Sequence, residues 1–238
     1  MSPRLKAAGD FCGKCGCFAD IGTDHGLLPV YVILSGKAGR AIATDLREGP
    51  LKNCRANVAS YGLGDKISIR RGNGFESIVP GEADTAAICG MGGMLICEII
   101  ASAVAEGRLR KGTRLILGPN THDEYVRRLL YLGPFDSIRE KAVRDSGRIY
   151  LVISCIYNGG DLSFDPSSDG LCEPEFFINE HFTGREAGLP KYYYKKALDK
   201  ALKRYEGIKN MPACHELEIL ESLIPRLREL AERRHKSL

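Results

Sequence analysis

The residues best suited to chemistry lie in one glycine-containing loop near the amino terminus. The segment Asp20–Gly26 (DIGTDHG) follows an apolar run and has the spacing D-x-G-x-x-x-G, which differs from the G-x-G-x-x-G of dinucleotide-binding loops. Glycines such as Gly22 let a backbone turn approach a ligand closely. Asp24 would repel a pyrophosphate, whereas a carboxylate at this turn favours the cationic sulfonium and amino groups of S-adenosylmethionine. The loop therefore predicts a binding site for this methyl donor, and an ordinary strand-to-helix turn with a polar cap is the alternative.

Two further turns carry polar side chains that suit the rest of such a donor. Asp45 follows Gly22 by about 20 residues, the separation at which Rossmann-type proteins place an acid that binds ribose hydroxyls. Asn73 lies between Gly72 and Gly74, at a point where class I methyltransferases commonly bind the adenine amino group. A helix cap would explain Asp45 equally simply, and a glycine-flanked turn needs no ligand. Combined with the first loop, the two positions favour a nucleoside-containing ligand.

Polar and glycine-rich turns also follow the next two predicted strands. In Cys89–Gly93 (CGMGG) the glycines permit close approach of the backbone, and Met91 offers an apolar wall. In Gly118–His122 (GPNTH), Asn120 offers both a donor and an acceptor that match the edge of a base. Ligands of open α/β sheets usually bind beside turns of this kind, where the order of the strands reverses. The two turns are therefore expected to complete the same site.

All these turns follow short β-branched runs that alternate with amphipathic stretches, a pattern typical of a mainly parallel sheet covered by helices on both faces. The predicted helices begin near Leu28, Glu48, Gly93 and Asp123. The predicted strands are Cys17–Ile21, Arg40–Thr44, Ile67–Arg71, Thr85–Cys89 and Arg114–Leu117, followed by the two strands Ser137–Arg144 and Arg148–Tyr157. A turn over residues 145–147 (DSG) joins the last two strands as an antiparallel hairpin. The sequence thus predicts a Rossmann-like class I methyltransferase sheet.

The region after residue 157 has a different organisation. Residues 158–175 are rich in Gly, Asp, Ser and Pro and lack periodicity, which indicates a linker. Two helical runs follow, one from Pro190 to about Asn210 and one from about Ala213 onward, and Pro225 is expected to kink or split the second. Apolar residues in both runs alternate between three- and four-residue spacing, which predicts a paired coiled-coil hairpin. These residues are Tyr194, Leu198, Ala201, Tyr205 and Ile208 in the first run, and Leu217, Leu220, Ile224, Leu227 and Ala231 in the second.

The C-terminal region is also the basic part of the chain. From residue 190 onward there are 12 Lys/Arg and 7 Asp/Glu, although the net charge of the whole chain is only +4. A near-neutral body with a basic end favours contact with a polyanion at that end, and a solvated helical face is the alternative. The predicted contacts to RNA phosphates are Lys195, Lys196, Lys200 and Arg204.

Composition limits the remaining possibilities. No apolar run approaches the roughly 20 residues that span a bilayer, and Met1–Asp10 lacks the apolar segment of an export signal. Several of the nine cysteines lie in apolar patterns, as expected for reduced thiols in the cytoplasm. The cluster Cys12, Cys15 and Cys17 has no evident fourth zinc ligand, so we predict a loop there rather than a metal site. We also expect no membrane contact and no obligate protein partner.

Three of these segments together resemble one known family. Asp20–Pro29 (DIGTDHGLLP), Gly90–Gly93 (GMGG) and the Pro119-Asn120 turn are similar to the bacterial tRNA (adenine-22-N1)-methyltransferase family, over about residues 17 to 157. The resemblance implies a Rossmann-like catalytic domain followed by a small coiled-coil domain, with S-adenosylmethionine as cofactor and tRNA as substrate. It also implies methyl transfer to N1 of the adenine at tRNA position 22. The chain departs from the family pattern at residues 26, 73 and 118, where Gly, Asn and Gly replace the usual Ala, Asp and Gln.

These arguments assign residues 1–157 to a donor-binding catalytic domain, 158–189 to a linker and docking segment, and 190–238 to a C-terminal helical hairpin. We predict Asp24 and Asn120 as catalytic side chains, because each could accept a hydrogen bond from the adenine amino group and stabilise the positive charge that methylation places on the ring. The predicted donor-binding residues are Asp20, Gly22, Thr23, Asp24, His25, Gly26, Asp45, Asn73, Gly74, Gly90, Met91 and Gly92.

Two other functions fit parts of the sequence. A nicotinamide-dependent oxidoreductase would share the alternating pattern, but the missing G-x-G-x-x-G and the terminal hairpin disfavour it. A non-catalytic RNA-binding protein with a methyltransferase fold is the second alternative, and the departures at Asn73 and Gly118 are what favour it.

Overall fold

A single seven-stranded sheet organises the part of the chain that the structure, a computed structural model, describes: residues 1–162, 173–178 and 189–232. The strand order is β3-β2-β1-β4-β5-β7-β6. The strands are β1 Cys15–Ile21, β2 Ala38–Asp45, β3 Ile67–Arg71, β4 Thr85–Cys89, β5 Arg114–Gly118, β6 Phe135–Asp145 and β7 Arg148–Tyr157. Strands β1 to β5 pair in parallel, whereas β7 is antiparallel to both β5 and β6. This arrangement confirms the predicted Rossmann-like methyltransferase sheet.

Helices cover both faces of the sheet and bury two hydrophobic clusters. The helices are α1 Pro3–Phe11, α2 Leu27–Leu34, α3 Glu48–Ser60, α4 Gly93–Ala105, α5 Asp123–Leu132, α6 Leu189–Ile208 and α7 His215–Glu232. The cluster on one face takes side chains from α1, α2 and α3, such as Ala8, Leu28 and Cys54. The cluster on the other face takes side chains from α4 and α5, such as Ile96 and Val126. Burial of both faces explains why the central strands are almost continuously apolar.

The first helix was not predicted from the sequence, in which only the cysteine cluster that follows it was expected to form a loop. Pro3 occupies the first turn of α1, and the Ser2 hydroxyl accepts a hydrogen bond from the backbone N–H of Leu5 at 3.4 Å. The helix buries mainly small residues, Ala7, Ala8 and Gly9, so it has no wide apolar stripe. Its stability therefore depends on packing against the sheet, which local periodicity does not reveal.

The C-terminal helices pair as predicted. All ten residues of the predicted apolar seam belong to one cluster between α6 and α7, and Leu220 and Leu227 are among its most buried members. The second helix begins at His215 rather than Ala213, and it runs through Pro225 without being split. No helix in the described part of the chain is long and apolar enough to cross a membrane.

Most of the predicted linker and docking segment, 158–189, lies outside the described residues, which omit 163–172 and 179–188. Between these gaps, Pro174–Phe177 forms one 3-10 turn. The turn packs against α5 and α7, and Phe176 is buried there. This short piece therefore lies between the catalytic domain and the hairpin.

Candidate active site

The first loop leaves β1 through a turn that is fixed to the neighbouring strand. The backbone N–H groups of Gly22 and Thr23 both donate to the carbonyl of Thr44 at 2.8 Å. The Thr23 hydroxyl accepts from the N–H of Gly26 at 3.2 Å, directly before α2 begins. Gly22 has a φ of +76°, and a Cβ there would lie 1.9 Å from the Cε of Met91. The positive φ is what favours glycine here, and the short approach to Met91 shows that the loop after β1 meets the turn after β4.

Two buried carboxylates lie at the ends of adjacent strands. Asp20 and Asp45, on β1 and β2, are only 7% and 8% exposed. Burial raises the pKa of Asp20 to about 6, a hydrogen bond with Thr23 offsets part of this rise, and the nearby charge of Asp45 adds to it. Asp45 accepts a hydrogen bond from the backbone N–H of Arg47 at 2.7 Å. The pair therefore concentrates negative charge at the ends of β1 and β2, with the exposed Arg47 guanidinium 3.6 Å from Asp45.

The turns after β4 and β5 are joined by backbone hydrogen bonds. The N–H of Gly90 donates to the carbonyl of Gly118 at 3.0 Å, and the N–H of Gly93 donates to the carbonyl of Thr121 at 2.7 Å. Gly92 also forms a β-bridge with Thr121. A Cβ at Gly93 would lie 2.0 Å from the carbonyl oxygen of His122, so the contact requires glycine. The two turns therefore act as one unit.

The side chain of Asn120 belongs to this unit. Its amide nitrogen donates to the carbonyl of Gly90 at 2.6 Å, and its backbone N–H donates to the carbonyl of Met91 at 2.8 Å. Its amide oxygen accepts a hydrogen bond from Nη1 of Arg4 in the first turn of α1. The Arg4 guanidinium also lies 4.7 Å from the centroid of the Tyr150 ring. Both the amide nitrogen and the amide oxygen of Asn120 are thus hydrogen-bonded within the protein. Arg4 is a site residue that the sequence analysis did not predict.

In the sequence, the one local signal near Arg4 is the Ser-Pro pair before it, which is typical of the start of a helix. That signature predicts where a helix begins, but not what the helix touches. The contact spans 116 positions of the sequence, from Arg4 to Asn120. It depends on how α1 packs against the sheet.

His122 has an unusual backbone conformation at the start of α5. Its φ of 57° and ψ of 45° are left-handed, which costs about 1 kcal/mol or more for a residue with a side chain. Its Nδ1 lies 3.2 Å from Oε1 of the buried Glu124, and that contact raises the pKa of the imidazole. Nζ of Lys200 on α6 lies 4.0 Å from the same Glu124 oxygen. The C-terminal hairpin therefore approaches the site beside the turn after β5.

Other predicted residues lie at the exposed edge of this site. Asp24 is exposed, and its Oδ2 lies 3.2 Å from Nε2 of the half-exposed His25. The carbonyl of His25 accepts from the side-chain amide of Asn57 at 2.8 Å, which ties the loop to α3. Asn73 is exposed, and together with Gly74 it lines a cavity of about 210 Å³ against α4. The cavity lies to the side of the carboxylates rather than over them.

A buried ionic network attaches the hairpin to the catalytic domain. Arg127 on α5 is 1% exposed, and its guanidinium donates to both carboxylate oxygens of Glu140 on β6, with the shortest distance 2.9 Å. Its Nη1 also donates to Asp123 at 3.0 Å and to the carbonyl of Phe176 at 3.1 Å. The hydroxyl of Tyr193 on α6 contacts both Arg127 and Asp123. Only the i,i+4 pairing of Asp123 with Arg127 could have been expected from sequence.

The four basic residues predicted to bind RNA differ in their surroundings. Lys195, Lys196 and Lys200 are exposed on α6. Arg204 instead pairs with both carboxylate oxygens of Glu216 on α7, at 2.5 and 2.9 Å. A phosphate contact by Arg204 would therefore have to replace this pair, and one by Lys200 would compete with its longer contact to Glu124 at 4.0 Å.

The residues present fit the methyl donor that the sequence analysis expects here. Buried carboxylates match a cationic centre and ribose hydroxyls. At Gly90, whose φ is +86°, a Cβ would have no heavy atom within 4 Å, so the turn after β4 faces open space next to the end of β1. The described residues hold no group of three or more His, Cys, Asp or Glu side chains arranged for a metal ion.

Sheet order, terminal hairpin and acidic first loop define a Rossmann-like methyltransferase domain, and a family described as methyltransferase domain matches residues 1–153. A tRNA (adenine(22)-N(1))-methyltransferase of Bacillus subtilis is 36% identical over 165 residues, which cover 69% of this chain and 68% of that protein. The chain belongs to the tRNA (adenine(22)-N(1))-methyltransferase family. This membership overturns the alternative of a nicotinamide-dependent oxidoreductase.

Solved structures extend the likeness to the whole chain. The crystal structure of the B. subtilis m1A22 tRNA methyltransferase TrmK superposes with a TM-score of 0.76 at 28% identity, covering 98% of this chain and 99% of that one. A Streptococcus agalactiae protein of the NADB-Rossmann superfamily superposes with a TM-score of 0.79 at 25% identity, covering 98% and 97%. The coverage includes the C-terminal helices as well as the sheet.

Proposed function

We propose that this chain transfers a methyl group from S-adenosylmethionine to N1 of adenine 22 in tRNA. The observation that carries the proposal is the pair of buried carboxylates, Asp20 and Asp45, at the ends of β1 and β2, with the open turn at Gly90 after the neighbouring strand β4. These groups occupy the carboxyl ends of adjacent strands in the sheet, the position at which open α/β sheets bind their ligands. Family membership supplies the reaction and the substrate.

On the donor side, the chain provides negative charge and close backbone approach. When bound, S-adenosylmethionine supplies an electrophilic methyl group on a positively charged sulfur. We assign Asp20 to the cationic end of the donor because it directly precedes the first loop, and Asp45 to the ribose hydroxyls because it ends the next strand. Asn73 would accept from the adenine amino group beside the cavity against α4. The loops at Thr23, His25, Gly26, Met91 and Gly92 would shape the space between these groups.

On the acceptor side, the residues need to position a base rather than remove a proton, because adenine N1 carries a free lone pair. Asp24 is exposed and able to accept a hydrogen bond from the amino group of the base. Asn120 is engaged with Arg4 and Gly90, so we assign it the role of holding the turn after β4 in place. The edge of adenine that carries N1 faces its partner in an RNA stem, so the base must leave the stem to reach the site.

The tRNA is proposed to lie across the C-terminal hairpin and the turn after β5. Lys200 lies 4.0 Å from Glu124, two residues after His122, so α6 presents its lysines beside the acceptor side of the site. Lys195 and Lys196 extend this exposed basic face along the same helix. Such contacts fix the register of an RNA without reading its sequence. We place the reaction in the cytoplasm, in agreement with the reduced thiols that the sequence predicts.

Nucleoside analysis tests this function. The purified protein, S-adenosylmethionine and a tRNA transcript with adenine at position 22 should yield 1-methyladenosine at that position by mass spectrometry. A matched transcript with guanine at position 22 should yield none. Methylation at a different position would contradict the proposed target. Tight tRNA binding without any transfer would instead favour the non-catalytic RNA-binding alternative.

A further inference from the structure

Two thiols at the junction of α1 and β1 have no part in the proposed methyl transfer. Cys12 directly follows α1 and is 1% exposed, and Cys15 begins β1 and is half-buried. Their sulfur atoms lie 3.7 Å apart and are not bonded. The two residues between them, Gly13 and Lys14, are exposed, and Gly13 has a φ of +67°. The chain therefore holds a C-x-x-C pair in contact, with one member accessible from solvent.

This junction is remote from the methyl-donor site. Cys15 begins β1, whereas Asp20 lies five residues further along the same strand, roughly 16 Å away at the rise of an extended strand. The thiols therefore lie at the opposite edge of the sheet from the turns that form the active site. Their chemistry is independent of donor binding, and a variant at Cys15 leaves the catalytic groups untouched.

We propose that Cys12 and Cys15 form a reversible intrachain disulfide by exchange with a small-molecule disulfide of the oxidised glutathione type. The Cys15 thiolate attacks one sulfur of the glutathione disulfide, forms a mixed disulfide and releases one glutathione thiolate. The Cys12 thiol then passes its proton to the released glutathione thiolate, and the Cys12 thiolate attacks the Cys15 sulfur and releases the second glutathione as a thiolate. Two protein thiols are oxidised to one disulfide, and one small-molecule disulfide is reduced to two thiols.

Accessibility sets this order of attack, because Cys15 is half-buried and reachable from solvent whereas Cys12 is only 1% exposed. The hydrogen bond with Cys12 lowers the pKa of the Cys15 thiol, so Cys15 is the readier nucleophile. The same hydrogen bond, together with burial, raises the pKa of the Cys12 thiol. Bond formation requires the sulfurs to move from 3.7 Å to about 2.05 Å. The exposed turn at Gly13 and Lys14 is the part of the chain that can absorb this movement.

Cys17, the third thiol of the cluster, is excluded by its position. Its side chain is 2% exposed and packs in the hydrophobic cluster on the α4 and α5 face of the sheet. Cys12 and Cys15 belong to the cluster on the opposite face. The sheet therefore separates Cys17 from the pair, and Cys17→Ser serves as a matched control.

Disulfide mapping tests the proposal, because trypsin cleaves after Lys14 and separates the two cysteines. The folded full-length protein is equilibrated at a series of reduced to oxidised glutathione ratios, quenched with acid and alkylated, then digested. In the wild type and Cys17→Ser, peptide 7–14 should become linked to peptide 15–37 as the ratio becomes oxidising, and reduction should separate them. The link should be absent from Cys12→Ser and Cys15→Ser, and Cys12→Ser should retain glutathione on Cys15.

Three results would overturn the proposal. One is alkylation of both thiols in the wild type at the most oxidising ratio. Another is a linked peptide pair that survives in Cys15→Ser, which would assign the bond to Cys17. The third is a wild type that stops at a glutathione adduct on Cys15. Methyl transfer to tRNA by Cys15→Ser should equal that of the wild type, so the outcome is separable from the proposed function.

Discussion

At the scale of single residues, the surroundings of the buried Asp20 carboxyl disfavour its ionised form. Burial is the main cause of its raised pKa, and Asp45 adds like charge. The folded chain therefore holds this proton more tightly than the unfolded chain does. As a result, stability is lost as the pH rises from 3.8 to about 6, the interval between the two pKa values. A cationic ligand beside the carboxylate reverses this preference, because it stabilises the ionised form.

Donor binding should therefore depend on pH through Asp20. Between pH 5 and 7 the affinity for S-adenosylmethionine, measured by calorimetry, should increase with pH and level off above about 6. At pH values well below about 6, the affinity for S-adenosylmethionine should change by up to about tenfold per pH unit. Asp20→Asn should bind weakly and without this dependence, whereas Asp65→Asn, at an exposed position, should behave as the wild type. Wild-type binding that is constant over this interval would refute the role of Asp20.

Gly93 gives a second test at this scale. Gly93→Ala places a Cβ 2.0 Å from a backbone oxygen of His122, so one of the two joined turns must move. We expect a loss of about 1–3 kcal/mol in the free energy of unfolding, together with weaker donor binding. Gly64→Ala is the matched control, because a Cβ there has no neighbour within 4 Å. Equal stability of the two variants in urea denaturation would show that the turns are not rigidly joined.

At the scale of elements, the Arg127 network holds α5, β6 and α6 together. Arg127 and Glu140 are each 1% exposed, so removing Arg127 takes the ion pair away from a buried carboxylate. Arg127→Met should therefore lower the free energy of unfolding by about 3–5 kcal/mol. The double variant Arg127→Met/Glu140→Leu removes both charges and should recover a large part of that loss. Chemical denaturation of the single and double variants measures this, and a double variant less stable than the single would contradict it.

The same network explains how a helical hairpin with its own hydrophobic cluster keeps a defined position. The seam between α6 and α7 is closed within the hairpin and leaves few apolar groups for the sheet. Tyr193 instead reaches out of the hairpin to Asp123, three residues after Asn120. Polar, directional contacts of this kind fix an orientation more strictly than apolar packing does. The position of the basic helix is thereby set relative to the turn after β5.

At the scale of the whole molecule, donor binding and RNA binding should be separable. Replacing Lys195, Lys196 and Lys200 by Gln should weaken tRNA binding. The slope of log Kd plotted against log salt concentration should fall by about two to three, because each lysine that contacts a phosphate contributes a little less than one to that slope. The affinity for S-adenosylmethionine should stay unchanged, because the carboxylates lie on the sheet. Filter binding across a salt series measures the first effect, and calorimetry measures the second.

A matched control removes three charges elsewhere. Lys14, Lys66 and Lys111 are exposed just before β1, β3 and β5, at the edge of the sheet opposite the donor site. Their replacement by Gln changes the net charge equally and should leave the salt dependence nearly intact. If both triple variants lose tRNA affinity to the same extent, general charge rather than the hairpin face holds the RNA.

The sequence by itself determined the parts that follow from local pattern. Alternation of apolar strands with amphipathic helices predicted five parallel strands and the terminal hairpin, and three- and four-residue spacing predicted the seam of α6 and α7. Ordered turns such as Asp20–Gly26 also follow from sequence, because the carboxyl ends of parallel strands must meet at one edge. These features depend on residues only a few positions apart, so one sequence is enough to predict them.

Only the tertiary structure decided the contacts between distant segments. It brought α1, which was not predicted, against the turn after β5, so that Arg4 reaches Asn120. It also joined Tyr193 to Arg127 and placed the sulfurs of Cys12 and Cys15 together, with Cys17 on the far face of the sheet. Such contacts are set by how whole faces pack and by which buried polar groups find partners. A periodic pattern gives the face on which a residue lies, but packing alone determines what that residue touches.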